Sequence, residues 1–317
     1  LLFFFGITLL NAQEYAQVDT VVASYPSSFQ SIEEFAQHIE KDFDSDAEKV
    51  RAAYCWMANH IQYNYKILGS GQTGYPEIKI TDYKDSEDYQ YQYRKIFATY
   101  TLQYKLSVCE GYAQLLFYVC EAMGIKAEVI NGNVLKPSYE YGYIPKTTTH
   151  AWNAVFYNNK WNLIDVTWSR DNNRNNPNHV RFNGIYFNVP PERMILNHFP
   201  EEPEWQLLDK PISKQEFYMQ PAVYTPYIPL SMDLDKNIKG LIKAKVNDSI
   251  TLKFTKIDSS EIYHYKYSRD KYSTNLPIEK VGDAYFAKIP FNSTKKDILT
   301  IFTTTKGILR FYITPTW

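Results

Sequence analysis

The sequence predicts an α+β domain followed by an all-β sandwich, and three observations carry that prediction. Apolar stripes at helical spacing, opened by Ser-x-x-Glu caps, run through the chain as far as Gly124. Two alternating strand-like segments joined by Asn158-Asn159 follow, and six short strand-like segments separated by turn residues close the chain. At 317 residues the chain exceeds one average domain of roughly 150 residues. The expected division is an export segment at 1–12, a catalytic-type domain at 13–217 and a β-sandwich, Ig-like in size, at 218–317.

The apolar run Leu1 to Leu10 is too short for the roughly 20 residues that span a bilayer, so no integral membrane segment is expected. Followed by Asn11-Ala12-Gln13, it resembles the core of a secretory signal peptide cleaved after Ala12, which favours a secreted or periplasmic, cell-envelope location over a buried terminal strand. Ser31-Ile32-Glu33-Glu34 caps a helix that runs to about Lys41, and Ser45-Asp46-Ala47-Glu48 caps a second one. The stripe Val50, Ala53, Tyr54, Met57, Ile61 carries that second helix to about Gln62. Residues 65–93 hold glycines, a proline and many polar residues without a period, so they read as an irregular excursion before a helix at about Tyr91 to Tyr104.

Ala113, Leu116, Phe117, Cys120 and Met123 then define a helix from Gly111 to Met123, stopped by Gly124. Ile125 to Val134 reads as a strand, and Leu135 to Thr149 as a tyrosine-bearing loop. His150 to Tyr157 and Lys160 to Trp168 read as a hairpin, because both asparagines tolerate the positive φ of a two-residue turn. Ser169 to Gly184 is asparagine-rich and reads as a mobile loop. Glu201 to Pro229 carries prolines that oppose a helix. The six closing strands are expected at 241–246, 249–255, 262–267, 284–291, 298–303 and 308–314.

Composition narrows function. With 44% hydrophobic and 22% charged residues the chain is neither disordered nor collagen-like. A net charge of −1 removes the electrostatic case for nucleic acid or an anionic membrane as partner. Three cysteines, Cys55, Cys109 and Cys120, cannot make a disulfide framework. The six histidines show no metal-ligand pair at i, i+4, so no metal and no cofactor is expected. Cys55 and Cys120 lie on apolar helix faces and read as buried hydrophobes.

Cys109 lies where its helix begins, and uncapped N–H groups and the helix dipole favour thiolate over thiol there. Its partners follow from the hairpin register. With a two-residue loop, Tyr157 faces Lys160, Trp152 faces Asp165 and His150 faces Thr167. His150, Trp152 and Asp165 then share one face, with His150 and Asp165 as diagonal neighbours roughly 7 Å apart at Cβ. A three-residue loop would reverse that parity. A carboxylate between Ile164 and Val166 needs a partner to be buried. Cysteine, histidine and aspartate in this order supply a nucleophile, a base and the group that orients it.

Val108-Cys109-Glu110-Gly111-Tyr112-Ala113, His150-Ala151-Trp152-Asn153-Ala154-Val155 and Trp161-Asn162-Leu163-Ile164-Asp165-Val166-Thr167-Trp168 resemble the three catalytic blocks of the transglutaminase-like superfamily, in the flavour of its kyphoscoliosis-peptidase-type branch. Ala52 to Tyr63 and His198 to Leu208 resemble that branch's preceding helix and closing segment, so the resemblance covers about residues 45–217. It implies a papain-like core, a helix bearing the cysteine packed on an antiparallel sheet bearing the histidine and aspartate. Cys109 would be the nucleophile, His150 the general base and then acid, and Asp165 the orienting residue. Asn64, where an aspartate is expected, and Ser169-Arg170, in place of a glycine-containing turn, depart from the pattern.

The Cys109 backbone N–H is the natural first oxyanion donor, with Gln103, Tyr104 and Gln62 as candidates for the second. Trp152, Tyr141, Tyr143 and Gln103 are the candidate substrate-binding residues. The 28 tyrosines bear on this, because several cluster just before Cys109 and His150, where amphipathic rings suit an extended peptide. The expected function is acyl transfer through a Cys thioester on peptide or protein substrates, most simply as peptidase or amidase. The alternative is a catalytically silent scaffold that binds partners in the envelope or in adhesion. The oligomeric state is not legible in the sequence.

Overall fold

Ser31 and Ser45 act as the sequence predicts, each accepting the N–H of the residue three places on. Their helices are α2 (Ile32–Asp42) and α3 (Asp46–His60), preceded by an unanticipated α1 (Ala16–Val22). The computed structural model describes residues 15–67, 77–138, 141–171, 181–304 and 306–317. The expected export segment 1–12 and residues 172–180 of the asparagine-rich segment lie outside the described residues. The chain divides into two compact units. One comprises Leu1–Asn133, Thr148–Pro191 and Pro200–Leu207; the other comprises Val134–Thr147, Glu192–Phe199 and Leu208–Trp317.

In the first unit, α4 spans Ser86–Tyr104 and starts earlier than its periodicity suggests, because Asp85 accepts the N–H groups of Glu87 and Asp88. Lys105 ends it in the left-handed conformation, at φ 53°. α5 runs Cys109–Ala122, beginning two residues before the predicted start. Two short parallel strands, β1 (Gln62–Tyr63) and β2 (Leu106–Ser107), tie the end of α3 to the approach to α5. The antiparallel sheet contains β3 (Ala127–Val134), β4 (His150–Tyr157) and β5 (Lys160–Ile164), with β4 between the other two.

The hairpin has the predicted register, from Tyr157 opposite Lys160 to Asn153 opposite Ile164, and Asn158 and Asn159 have φ of 52° and 58°. β5 ends at Ile164, short of the predicted Trp168. Beyond it the Asp165 N–H donates to the Tyr186 carbonyl at 2.9 Å. Two-residue strands β6 (Arg170–Asp171) and β7 (Arg181–Phe182) pair beyond this turn. Rings and aliphatic side chains from α1 to α5, including Phe35, Trp56, Met57, Leu115 and Leu116, form one buried core with Val155 and Ile164 of the sheet.

The second unit holds a four-stranded sheet and a larger mixed sheet, in which Leu241–Lys245 pairs in parallel with Gly307–Thr316. All six predicted strands are present, joined by Ile278–Val281 and shorter pieces. Ile250, Leu252 and Phe254 alternate buried with exposed residues, as do Leu299 and Ile301. The Tyr267 hydroxyl of one sheet donates to the Pro290 carbonyl of the other at 3.0 Å, so the sheets face each other as a sandwich. The proline-rich stretch does hold a helix, contrary to expectation. Lys214–Tyr218 fits between Pro211 and Pro221 and is fixed by a reciprocal Ser213–Glu216 capping box. No helix among the described residues is long and apolar enough to cross a membrane.

Candidate active site

Cys109 is the first residue of α5, where no side chain caps the first-turn N–H groups. Its position is set from both sides. The Gln62 N–H donates to the Lys105 carbonyl and the Asn64 N–H to the Ser107 carbonyl, each at 2.8 Å, which fixes the backbone leading to it. Behind it, Gly111 lies against the hydroxyls of Ser107 and Thr101, which are hydrogen-bonded to each other at 3.0 Å. A Cβ on Gly111 would sit 1.9 Å from Ser107 Oγ. The Cys-Glu-Gly sequence therefore joins a cysteine at a helix start to a close approach that only glycine allows.

The helix is anchored to the sheet by Asn153, whose amide donates to the Ala113 carbonyl at 3.0 Å and the Glu128 carbonyl at 3.2 Å. That bond holds α5 across β4, the strand whose first residue is His150.

His150 Nε2 lies 2.6 Å from Asp165 Oδ2, with His150 8% and Asp165 1% exposed. The second carboxylate oxygen accepts the Trp168 N–H at 3.2 Å. The imidazole lies between two indoles, Trp152 at 6.0 Å and Trp168 at 5.9 Å between centroids. Because Nε2 is engaged by Asp165, Nδ1 is the ring nitrogen that remains for the thiol.

Electrostatics separates the three cysteines. Burial pushes the Cys55 thiol up to about 12 and raises that of Cys120 further. Burial pulls Cys109 the same way, but the positive charge of His150, its hydrogen bond and the Ala151 N–H outweigh it, and the Cys109 pKa falls below the ordinary thiol value. For His150, burial opposes the cation, while the charges of Asp165 and Cys109 and their hydrogen bonds raise its pKa above the usual imidazole value. Both shifts favour a thiolate beside an imidazolium.

The other candidates have distinct surroundings. Trp152 is buried and stacks on the His150 ring at an interplanar angle of 26°. Gln103 is exposed near the end of α4, and its one hydrogen bond goes to the Gln30 carbonyl at 3.4 Å. Tyr141 and Tyr143 belong to the second unit. There Tyr141 contacts Tyr312 and the Met219 sulfur, and Tyr143 is 61% exposed. Of the upstream residues, Tyr63 is the one whose ionisation is opposed first by burial and next by charge on Cys109. It stands opposite Ser107 in the β1–β2 pair. Sequence reasoning did not select it, although that pairing is what places it there.

Residues 33–166 match the family model described as transglutaminase-like superfamily. Kyphoscoliosis peptidase of Homo sapiens is 26% identical over 211 residues, 66% of this chain and 29% of that protein. Its Mus musculus counterpart is 28% identical over 189 residues, 59% of this chain and 26% of that protein. Lim and transglutaminase domain protein ltd-1 of Caenorhabditis elegans is 24% identical over 172 residues, 49% of this chain and 24% of that protein. The matches thus cover less than a third of the length of each of these relatives.

Proposed function

With a transglutaminase-like domain at residues 33–166, we infer that the chain is a cysteine-dependent acyl-transfer enzyme acting on peptide or protein substrates, most simply by hydrolysis as a peptidase or amidase. The observation that carries this reading is the 2.6 Å bond from His150 Nε2 to Asp165, with His150 lowering the pKa of a thiol at a helix start. The Cys109 thiolate attacks the substrate carbonyl, forming a C–S bond while the carbonyl electrons move onto oxygen. The Cys109 N–H is the natural donor to that oxyanion. As the C–N bond breaks, His150 gives its proton to the leaving amine. Water, deprotonated by the now neutral imidazole, or a second amine then resolves the thioester. Asp165 keeps the imidazole oriented and favours its charged form.

A silent scaffold has no use for a buried aspartate aimed at a histidine beside a low-pKa thiol, which supports the enzymatic reading over it. The apolar run at Leu1 to Leu10 supports action outside the cytosol, in the envelope or secreted. Cell fractionation with N-terminal sequencing of the mature chain tests that placement. The catalytic test is incubation with a peptide library, with and without a primary amine, followed by mass analysis. Cleavage, a deamidation shift or amine incorporation is expected for the unaltered protein and none for Cys109→Ala. Products that persist in Cys109→Ala would refute the assignment.

A further inference from the structure

Arg170 stands in the turn that departs from the family pattern, at the start of β6. Its side chain is 4% exposed. Among the described residues its side chain makes one hydrogen bond, from Nη1 to the Tyr112 hydroxyl at 3.3 Å, and its Nε has no partner. No carboxylate among the described residues pairs with it. The fold treats its other deeply buried arginine differently: Arg51 is gripped by both oxygens of Asp19, at 2.8 and 2.7 Å, and ringed by Tyr15, Tyr54, Phe182 and Phe187.

The groups around Arg170 are already engaged elsewhere. Tyr112 donates its own proton to the Ile61 carbonyl at 2.6 Å and offers Arg170 only a neutral lone pair. Asp165 has one oxygen on His150 and the other on the Trp168 N–H. A guanidinium stays charged and carries five N–H donors in a planar fork, and burying it without an anion is unfavourable. That fork matches a carboxylate with two parallel hydrogen bonds. Tyr112 follows Cys109 by one turn of α5, so the residue that holds Arg170 stands on the same helix end as Cys109.

We propose that Arg170 is the carboxylate-binding residue of the site around Cys109, so that the substrate is a peptide with an anionic group near the attacked carbonyl. The group is an acidic side chain or a free C-terminal carboxylate. The proposal rests on the acyl-transfer reading, and it adds the substrate class.

Binding to the full chain carrying Cys109→Ala separates the two ideas, because no turnover is needed. Fluorescence anisotropy is measured with three labelled peptides: one with glutamate and an amidated C-terminus, its glutamine counterpart, and that counterpart with a free C-terminus. One of the two anionic peptides is expected to bind at least tenfold more tightly than the neutral one, and which one it is identifies the source of the carboxylate. Arg170→Gln is expected to abolish the preference. Arg170→Lys, which keeps the charge and loses the fork, should weaken it severalfold and keeps the test usable if the glutamine variant does not fold. Equal binding of all three peptides, no binding by any of them, or a preference that survives Arg170→Gln would overturn the proposal. Failure of the acyl-transfer reading looks different: the unaltered protein would then form no covalent adduct at Cys109 with an acylating thiol probe.

Discussion

Replacing Gly111 with alanine tests the claim that the backbone around Cys109 is set by close contact. An added Cβ would lie 1.9 Å from Ser107 Oγ, 2.4 Å from Thr101 Oγ1 and 3.0 Å from Ser107 Cβ. Neither oxygen ends a long flexible chain. Thr101 Oγ1 is hydrogen-bonded to Ser107 and also donates to the Phe97 carbonyl at 3.1 Å, and both side chains are buried. The alanine must therefore displace α5 or break the pair. Overpacking costs about 1–3 kcal/mol. Separating the buried hydroxyls costs about 1–3 kcal/mol more. Better helix propensity returns about 1 kcal/mol. The net loss is about 1–5 kcal/mol, centred near 3, which lowers the melting temperature by roughly 6–12 °C for a unit of this size.

Thermal unfolding followed by near-UV circular dichroism measures the loss, and iodoacetamide labelling of Cys109 reports any displacement of the nucleophile. Ser107→Ala added to Gly111→Ala removes the atom at 1.9 Å and should recover about half of the stability. A Gly111→Ala protein as stable as the original, or a double variant no better than the single one, would refute the steric account.

Three further outcomes follow from the same geometry. His150→Gln removes the charge and the hydrogen bond that chiefly oppose burial at Cys109 and leaves only the Ala151 N–H, so its pKa should rise and alkylation by iodoacetamide at pH 7 should slow at least tenfold, with the gap closing at alkaline pH; an unchanged rate would remove His150 from the site. Asp165→Asn deletes an anion that raises the His150 pKa, so the imidazolium loses its proton at lower pH and the bell-shaped kcat/KM profile should narrow from its alkaline side. Its acid limb should not move upward, since Asp165 opposes ionisation of Cys109 directly. Asp19→Ala should cost about 3–5 kcal/mol and Arg51→Met only about 1–2, because Asp19, 26% exposed, can rehydrate and Arg51, 5% exposed, cannot; urea unfolding of the two variants gives the comparison.

What could be read in the sequence was what local chemistry decides. Ser31 and Ser45 cap their helices because a hydroxyl three residues before a glutamate meets an orphan N–H whatever surrounds it. The hairpin register followed from two asparagines able to take positive φ, and it carries the chain back to Asp165, one residue past the paired strand. The end of β5 at Ile164 was hidden, because the Asp165 N–H leaves the ladder for Tyr186, a residue distant in sequence. Helix α1 was hidden too. Its N-cap Tyr15 makes no side-chain cap, and its Asp19 is held by an arginine 32 residues away.

The three cysteines show why residue type alone could not locate the chemistry. Cys55 and Cys120 lie inside helices packed in the core, where burial alone acts strongly and holds the proton on sulfur. Cys109 is half-buried and burial still pulls its pKa upward, so desolvation by itself does not set it apart. What does is the sum of local fields: a helix start with free N–H groups, the Ala151 N–H, and a histidine whose charge is sustained by Asp165. These contributions come from three places, the start of α5, the first two residues of β4 and the turn after β5, and the hairpin joins the last two. The same turn that delivers Asp165 continues to Arg170, so the segment that carries Asp165 to His150 also brings Arg170 to Tyr112 of α5. A single glycine-containing turn at that point could supply the first and not the second, which is why the departure at Ser169-Arg170 bears on the proposed substrate class.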